Sequence, residues 1–163
     1  MHLVSGSRRI ERMYGVVEQA VADMHAALDT LARVDTAGWS QAEVAQFAVE
    51  AHTIQNRVDA LATRSTGVFD RYGDPQGAVG AASWVAWKCR IKKQKAKAEL
   101  ARARALRRMP EVARAYDAGE VASEHVQLLG AAVRAVGDEP FDKVESELLG
   151  SAMDLRFDAF ARH

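Results

Sequence analysis

Residues 8–35 read RRIERMYGVVEQAVADMHAALDTLARVD, and the apolar members of this stretch decide the fold class. Ile10, Tyr14, Val17, Val21, Met24, Leu28 and Leu31 follow one another at alternating spacings of four and three. A period of about 3.5 residues held for three heptads is the seam of a long amphipathic helix. Thr36-Ala37-Gly38 interrupts it. Ser40-Gln41-Ala42-Glu43 then has the capping-box pattern, in which the Ser hydroxyl accepts a free backbone N–H and the Glu reaches back. A second helix follows, with Val44, Phe47, Ala51, Ile54, Val58, Leu61, Ser65 and Val68 at heptad spacing, until Gly73-Asp74-Pro75 ends it. The short connection predicts an antiparallel helical hairpin roughly 40 Å long, at ~1.5 Å per residue.

Beyond a Gly-rich linker over 74–81, the pattern changes to shorter helices. One is predicted over Ala81–Cys89 and another over Lys92–Arg108, separated by a turn near Cys89-Arg90-Ile91. Pro110 suits the first turn of the next helix and Gly119 its C-terminal cap. Ser123 is expected to cap a helix reaching Val136, and Pro140 to start one reaching Gly150. A last apolar stretch holds Met153, Leu155, Phe157 and Phe160. Nothing alternates with period two, so no sheet is predicted. The expected fold is all-α, with six to eight helices. Residues 1–75 form a hairpin packed on a cluster of shorter helices in residues 76–163, the two making one compact body.

About half of the 163 residues are hydrophobic, enough for a core without staples. Cys89 is the sole cysteine, which gives no disulfide framework and fits a reducing compartment. The N-terminal residues lack the apolar run of a signal peptide, and no segment approaches the ~18 apolar residues of a membrane span. A soluble, cytoplasmic protein that does not engage a membrane is expected.

Formal charge is zero, but it is unevenly placed. Residues 88–108 carry ten bases: Lys88, Arg90, Lys92, Lys93, Lys95, Lys97, Arg102, Arg104, Arg107 and Arg108. Glu99 is the only acid among them. A block of +9 therefore sits in a chain that is otherwise −9. Helical bases usually have acids interleaved four residues away, and here those partners are missing. The competing explanations are a polyanion partner, a solvated face, and neutralisation by the acidic flanks. The polyanion is the preferred one. On a helical wheel Ala96, Leu100, Ala103 and Leu106 make a narrow apolar stripe. Ala98, Ala101 and Ala105 make a second face of small residues, with the bases on the flanks between them.

The segment Ala81–Ala96 has helix-turn-helix spacing. Its second helix would present Lys92, Lys93, Gln94, Lys95 and Lys97 from its first turns, the part that enters the major groove in this motif. Gln pairs with adenine, and Lys or Arg contacts guanine or phosphate. Candidate DNA-binding residues are Lys88, Arg90, Lys92, Lys93, Gln94, Lys95, Lys97, Arg102 and Arg104. Trp84 is expected in the core, and Trp87 is left open between core and surface.

The order of short motifs carries a resemblance. Ala82-Ser83-Trp84-Val85-Ala86, the basic helix around Ala96, Ala101-Arg102-Ala103-Arg104-Ala105-Leu106, Met109-Pro110 and Ala118-Gly119-Glu120-Val121-Ala122-Ser123-Glu124-His125-Val126 occur in sequence. Together they resemble the actinobacterial 13E12 repeat family, domain of unknown function 222. The resemblance is tight over the middle third of the chain. Val85 and Met109 stand where the family favours Leu, and the Ser before His125 is shifted by a residue. Family members often carry a C-terminal HNH endonuclease domain, which implies a targeting or accessory role on DNA and brings no catalytic residue to this chain.

An HNH site needs a general-base His, further metal ligands and a positioning Asn on a ββα element. His2, His25, His52, His125 and His163 are far apart, and the only Asn, Asn56, lies inside the second long helix. There are no Cys pairs for a structural zinc. His125 is read as a helix-face histidine hydrogen-bonded to a neighbour, not as a catalytic group. No Walker loop, dinucleotide fingerprint, HExxH or Gly-x-Ser-x-Gly elbow occurs, so no catalytic residue, metal or cofactor is assigned. The expected function is DNA binding. The alternative is a helical interaction module whose heptad seams pair within the chain or in a homodimer. A third possibility is an enzyme whose catalytic part lies outside these residues, the chain being a fragment or remnant.

Overall fold

The structure, a computed structural model, describes residues 3–73 and 77–162, with side chains from Tyr14 onward. The fold is all-α. Nine helices and no strand occur among the described residues. The chain divides into two compact units, Met1–Ala45 and Gln46–His163.

In the first unit, α1 spans Leu3–Ala32. Its seam residues Tyr14 (67 %), Val17 (59 %), Val21, Leu28 and Leu31 are exposed, while Ile10 lies outside the described side chains. After α1, the Ala37 N–H donates to Asp35 Oδ1 (2.9 Å), an Asx turn. The predicted capping box is present. The Ser40 N–H donates to Glu43 Oε2 at 2.8 Å, and the Glu43 N–H donates to Ser40 Oγ at 3.3 Å. The Ser40 backbone donor, helped by the Ser40 hydroxyl, holds the Glu43 carboxyl below its ordinary range. This box starts α2, Gln41–Tyr72.

The second unit contains α2 from Gln46 onward with α3 (Ala81–Lys88), α4 (Lys93–Leu106), α5 (Pro110–Ala118), α6 (Ser123–Val136), α7 (Asp138–Asp142), α8 (Glu145–Asp154) and α9 (Phe157–Phe160). Met109, Val112, Tyr116, Val121, Val126, Leu129, Val133 and Phe141 are almost fully buried and make its core.

Small residues set the approach of α4 to its neighbours. A Cβ on Gly67 would lie 2.8 Å from Ala103 Cβ, and one on Gly130 would lie 2.9 Å from Ala105 Cβ. The backbones of α2 and α6 therefore come against opposite sides of α4, which explains its two alanine-rich faces. Trp84 packs on Phe69 of α2, centroids 4.4 Å apart, and is partly buried.

α5 is held at both ends. Pro110 occupies its first turn, as predicted. The buried Glu145 carboxylate (4 % exposed) accepts the Glu111 and Val112 N–H groups at 2.9 and 3.0 Å. A carboxylate there satisfies free donors and meets the positive end of the helix dipole. At the other end Gly119 is left-handed (φ 83°), and the Glu120 N–H reaches back to the Ala115 carbonyl (3.0 Å), a Schellman cap. Asn56 Nδ2 donates to the Gly119 carbonyl at 3.3 Å, which gives the only asparagine a structural role.

Two boundary expectations are corrected. The helix predicted from Pro140 to Gly150 is broken, because Val144 leaves helical dihedrals (φ −123°, ψ 1°). The break redirects α8 so that Glu145 reaches under α5. Ser123 is not the cap of α6, since Ala122 holds that position. The Ser123 hydroxyl instead pairs with the buried Tyr116 hydroxyl at 2.7 Å. Residues 74–76 of the expected linker lie outside the described residues.

Candidate nucleic-acid interface

The site is built on α3, the following turn and α4, which pack closely on one another. α3 ends without glycine. Arg90 adopts the left-handed conformation (φ 54°). The Ile91 N–H donates to the Ala86 carbonyl at 3.1 Å and the Arg90 N–H to the Trp87 carbonyl at 3.4 Å. This is a Schellman cap with arginine where glycine is usual. Trp87, just before it, is 66 % exposed, with Lys88 Nζ 4.2 Å from its ring centroid. Cys89 is free and exposed.

α4 begins at Lys92, an extended residue at the N-cap position (φ −61°, ψ 137°). It has no side-chain cap and no acid in its first turn. Lys92, Lys93, Gln94, Lys95 and Lys97 are all exposed. By helical spacing Lys93, Lys97 and Arg104 share one flank of α4, and Lys95 and Arg102 share the other. Glu99, the one acid in the block, is turned inward, where the Thr66 hydroxyl of α2 donates to it. Every exposed charged side chain of α4 is therefore a cation.

Not all of the predicted set is equally available. Arg104 makes a two-pronged contact with Asp70 of α2, Nε at 3.1 Å and Nη2 at 2.9 Å. These hydrogen bonds hold the Asp70 carboxyl below the usual carboxylate range. Arg102 is half-buried, and its Nε is enclosed without a hydrogen-bond partner. Lys88, Arg90, Lys92, Lys93, Gln94, Lys95 and Lys97 form one run across the turn and the first turns of α4.

Sequence reasoning did not pick Arg134 of α6. It lies beside α4, with Nη1 3.6 Å from the position a Cβ would take on Gly130. The only sequence signal for it is the i, i+4 pair Gly130/Arg134 on a helix whose partner face is alanine.

His125 lies elsewhere in the unit. Its Nδ1 accepts the Ala122 N–H at 3.2 Å, while Nε2 is enclosed without a partner. Phe157 and Phe160 flank the ring, centroids at 5.1 and 5.7 Å. Burial pushes its pKa below the ordinary value, against the field of Glu124. His25 and His52 lie on α1 and α2, and His2 and His163 are outside the described residues. No group of three or more His, Cys, Asp or Glu side chains placed to hold a metal ion occurs among the described residues.

The sequence profile of the domain of unknown function DUF222 matches residues 41–162, about three-quarters of the chain. The chain belongs to the DUF222 family. No curated protein and no solved structure matches it significantly. The DUF222 match begins with α2 and runs through α9, so it includes the whole α3–α4 surface and both flanking helices. Among the described residues of this DUF222 chain, no helix is long and apolar enough to cross a membrane.

Proposed function

We propose that this DUF222 chain binds DNA through the turn between α3 and α4 and the first turns of α4. The observation that carries this is the N-terminus of α4. Lys92, Lys93 and Lys95 crowd the positive pole of a helix that has neither a side-chain cap nor an acidic first turn. Cations there oppose the helix dipole and leave backbone donors to solvent. A phosphate at that point relieves both, which is why helix N-termini are ready anion sites. Gln94 is exposed among the lysines, and its amide has the donor and acceptor that suit an adenine edge. The resemblance to proteins that carry HNH endonuclease domains is consistent with an accessory role on DNA.

The test is a titration of the full chain with a random 30-base-pair duplex at low and at physiological salt. Binding that weakens steeply with salt is expected, because each neutralised phosphate releases counterions. The triple variant Lys92→Gln/Lys93→Gln/Lys95→Gln should lose affinity and flatten the salt dependence. Absence of binding at low salt would overturn the reading.

A second reading is favoured by the exposed 3.5-residue seam of α1 (Tyr14, Val17, Val21, Leu28 and Leu31). Such a seam suits pairing with a second copy of the chain. Sedimentation over a range of concentrations, without nucleic acid, tests it. A monomer throughout rejects it.

A further inference from the structure

The side of α4 that faces α6 carries cations that the α3–α4 surface does not use. Two clefts of about 320 and 420 Å³ lie there, and they share Ala101, Ala105 and Arg134. They therefore form one trough along α4. Its floor is Ala98, Ala101, Ala105 and Gly130, which project nothing beyond a methyl group. Lys97, Arg102 and Arg134 line one half, and Arg104, Arg107, Arg108 and Arg134 line the other. No acidic side chain lines either half.

The guanidinium groups are partly held in place from outside. Asp70 grips Arg104, and Asp138 grips Arg108, whose Nη2 also approaches the Val133 carbonyl at 3.4 Å. Arg107 and Arg134 are exposed and make no ion pair among the described residues. Arg102, whose Nε is enclosed and unpartnered, lines the same trough. Four arginines around one cleft repel one another, and the planar fork of each matches phosphate oxygens. A floor of alanine and glycine lets such a group approach closely. No aromatic side chain lines the trough, so nothing in it stacks on bases, and contacts to phosphate carry no sequence information.

We infer that the α4–α6 trough is a phosphate-binding site, with Arg107 and Arg134 as its free ligands. On the DNA-binding function above, on which this part rests, its phosphates are those of the DNA backbone. From Gln94 to Arg108 the trough runs about 20 Å, at ~1.5 Å per residue. That is about six phosphates of one strand at ~3.4 Å each along the duplex.

The full chain is tested with the 30-base-pair duplex and, separately, with inorganic pyrophosphate. Arg107→Gln/Arg134→Gln removes both free ligands without breaking an ion pair. Its duplex affinity should fall, and its log–log salt slope should shrink by about 1.8, at ~0.9 per lost phosphate contact. Ala101→Glu, which places a carboxylate on the floor, should weaken binding more than Ala101→Gln. If both sets bind like wild type while Lys92→Gln/Lys93→Gln/Lys95→Gln does not, the trough is overturned and the DNA-binding function stands. If wild type binds no duplex, that function fails and pyrophosphate decides the trough. A rise in thermal midpoint that is lost in Arg107→Gln/Arg134→Gln supports a site for free phosphates, and no rise overturns it.

Discussion

At the scale of the residue, Gly119 and His125 show how much of the family-like segment is structural. Gly119 combines a left-handed backbone with a crowded position. A Cβ there would lie 2.8 Å from both Arg57 Cγ and the Thr53 carbonyl oxygen. Gly119→Ala should cost about 3 kcal/mol, from backbone strain and overpacking together. Gly73→Ala, at φ 71° but in open space, should cost only about 1 kcal/mol. Denaturant midpoints of the two variants check this, and equal losses would contradict the packing account. His125 accepts a backbone N–H through Nδ1, which only the neutral ring can do. Its folded pKa is lowered, chiefly by burial. The unfolded chain therefore binds the proton first as pH falls. The contribution of His125 is complete above its unfolded pKa of about 6.5 and is lost as pH drops through the lowered folded value. The denaturation midpoint should decline between pH 7 and 5. His125→Gln, whose amide oxygen still accepts the Ala122 N–H, should flatten that decline. An identical pH response in both proteins would remove His125 as the cause.

At the scale of the element, α4 trades stability for exposed charge. Lys92 holds an N-cap position with the extended dihedrals that suit a capping side chain, yet lysine has no acceptor to offer. Lys92→Asp supplies an acceptor and a negative charge at the positive pole, and should raise stability by about 1 kcal/mol. The same change should weaken duplex binding, and a thermal melt beside a titration separates the two effects. A variant that gains nothing in stability would show that the α4 terminus is already satisfied. Elements such as the Ser40–Glu43 box, Pro110 and Gly119 were legible in the sequence because each acts through its immediate neighbours. The break at Val144 and the pairing of Ser123 with Tyr116 were not. The first depends on the α5 terminus, more than thirty residues before Glu145, and the second on how the chain turns at Gly119 to bring Ser123 back onto Tyr116, so neither follows from a residue's immediate neighbours. The candidate surface divides in the same way. The run from Lys88 to Lys97 is contiguous and stands out in composition, whereas Arg134 joins it only because Gly130 lets α6 close on Ala105.

At the scale of the whole molecule, a chain of zero net charge keeps a concentrated positive block and holds it with a few well-placed acids. Only two acids, Asp70 and Asp138, pair with arginines of residues 88–108 among the described residues. Both bind arginines that line the trough, Arg104 and Arg108. These pairs order the guanidinium groups and also compete with any phosphate for them. Asp70→Asn and Asp138→Asn should therefore act in opposite senses on stability and on binding. Each pair is partly exposed, so each substitution should cost no more than about 1 kcal/mol. The loss should be larger at Asp70, which is the less exposed carboxylate and grips Arg104 through two nitrogens. Each released arginine adds a cation for phosphate, so the double variant should bind the 30-base-pair duplex more tightly. Its salt dependence should be steeper by up to about 1.8, at ~0.9 per added contact. A double variant that is less stable and binds no better would mean that Asp70 and Asp138 position Arg104 and Arg108 for phosphate and do not compete with it. The affinity of Arg107→Gln/Arg134→Gln would then report the whole of the free charge in the trough.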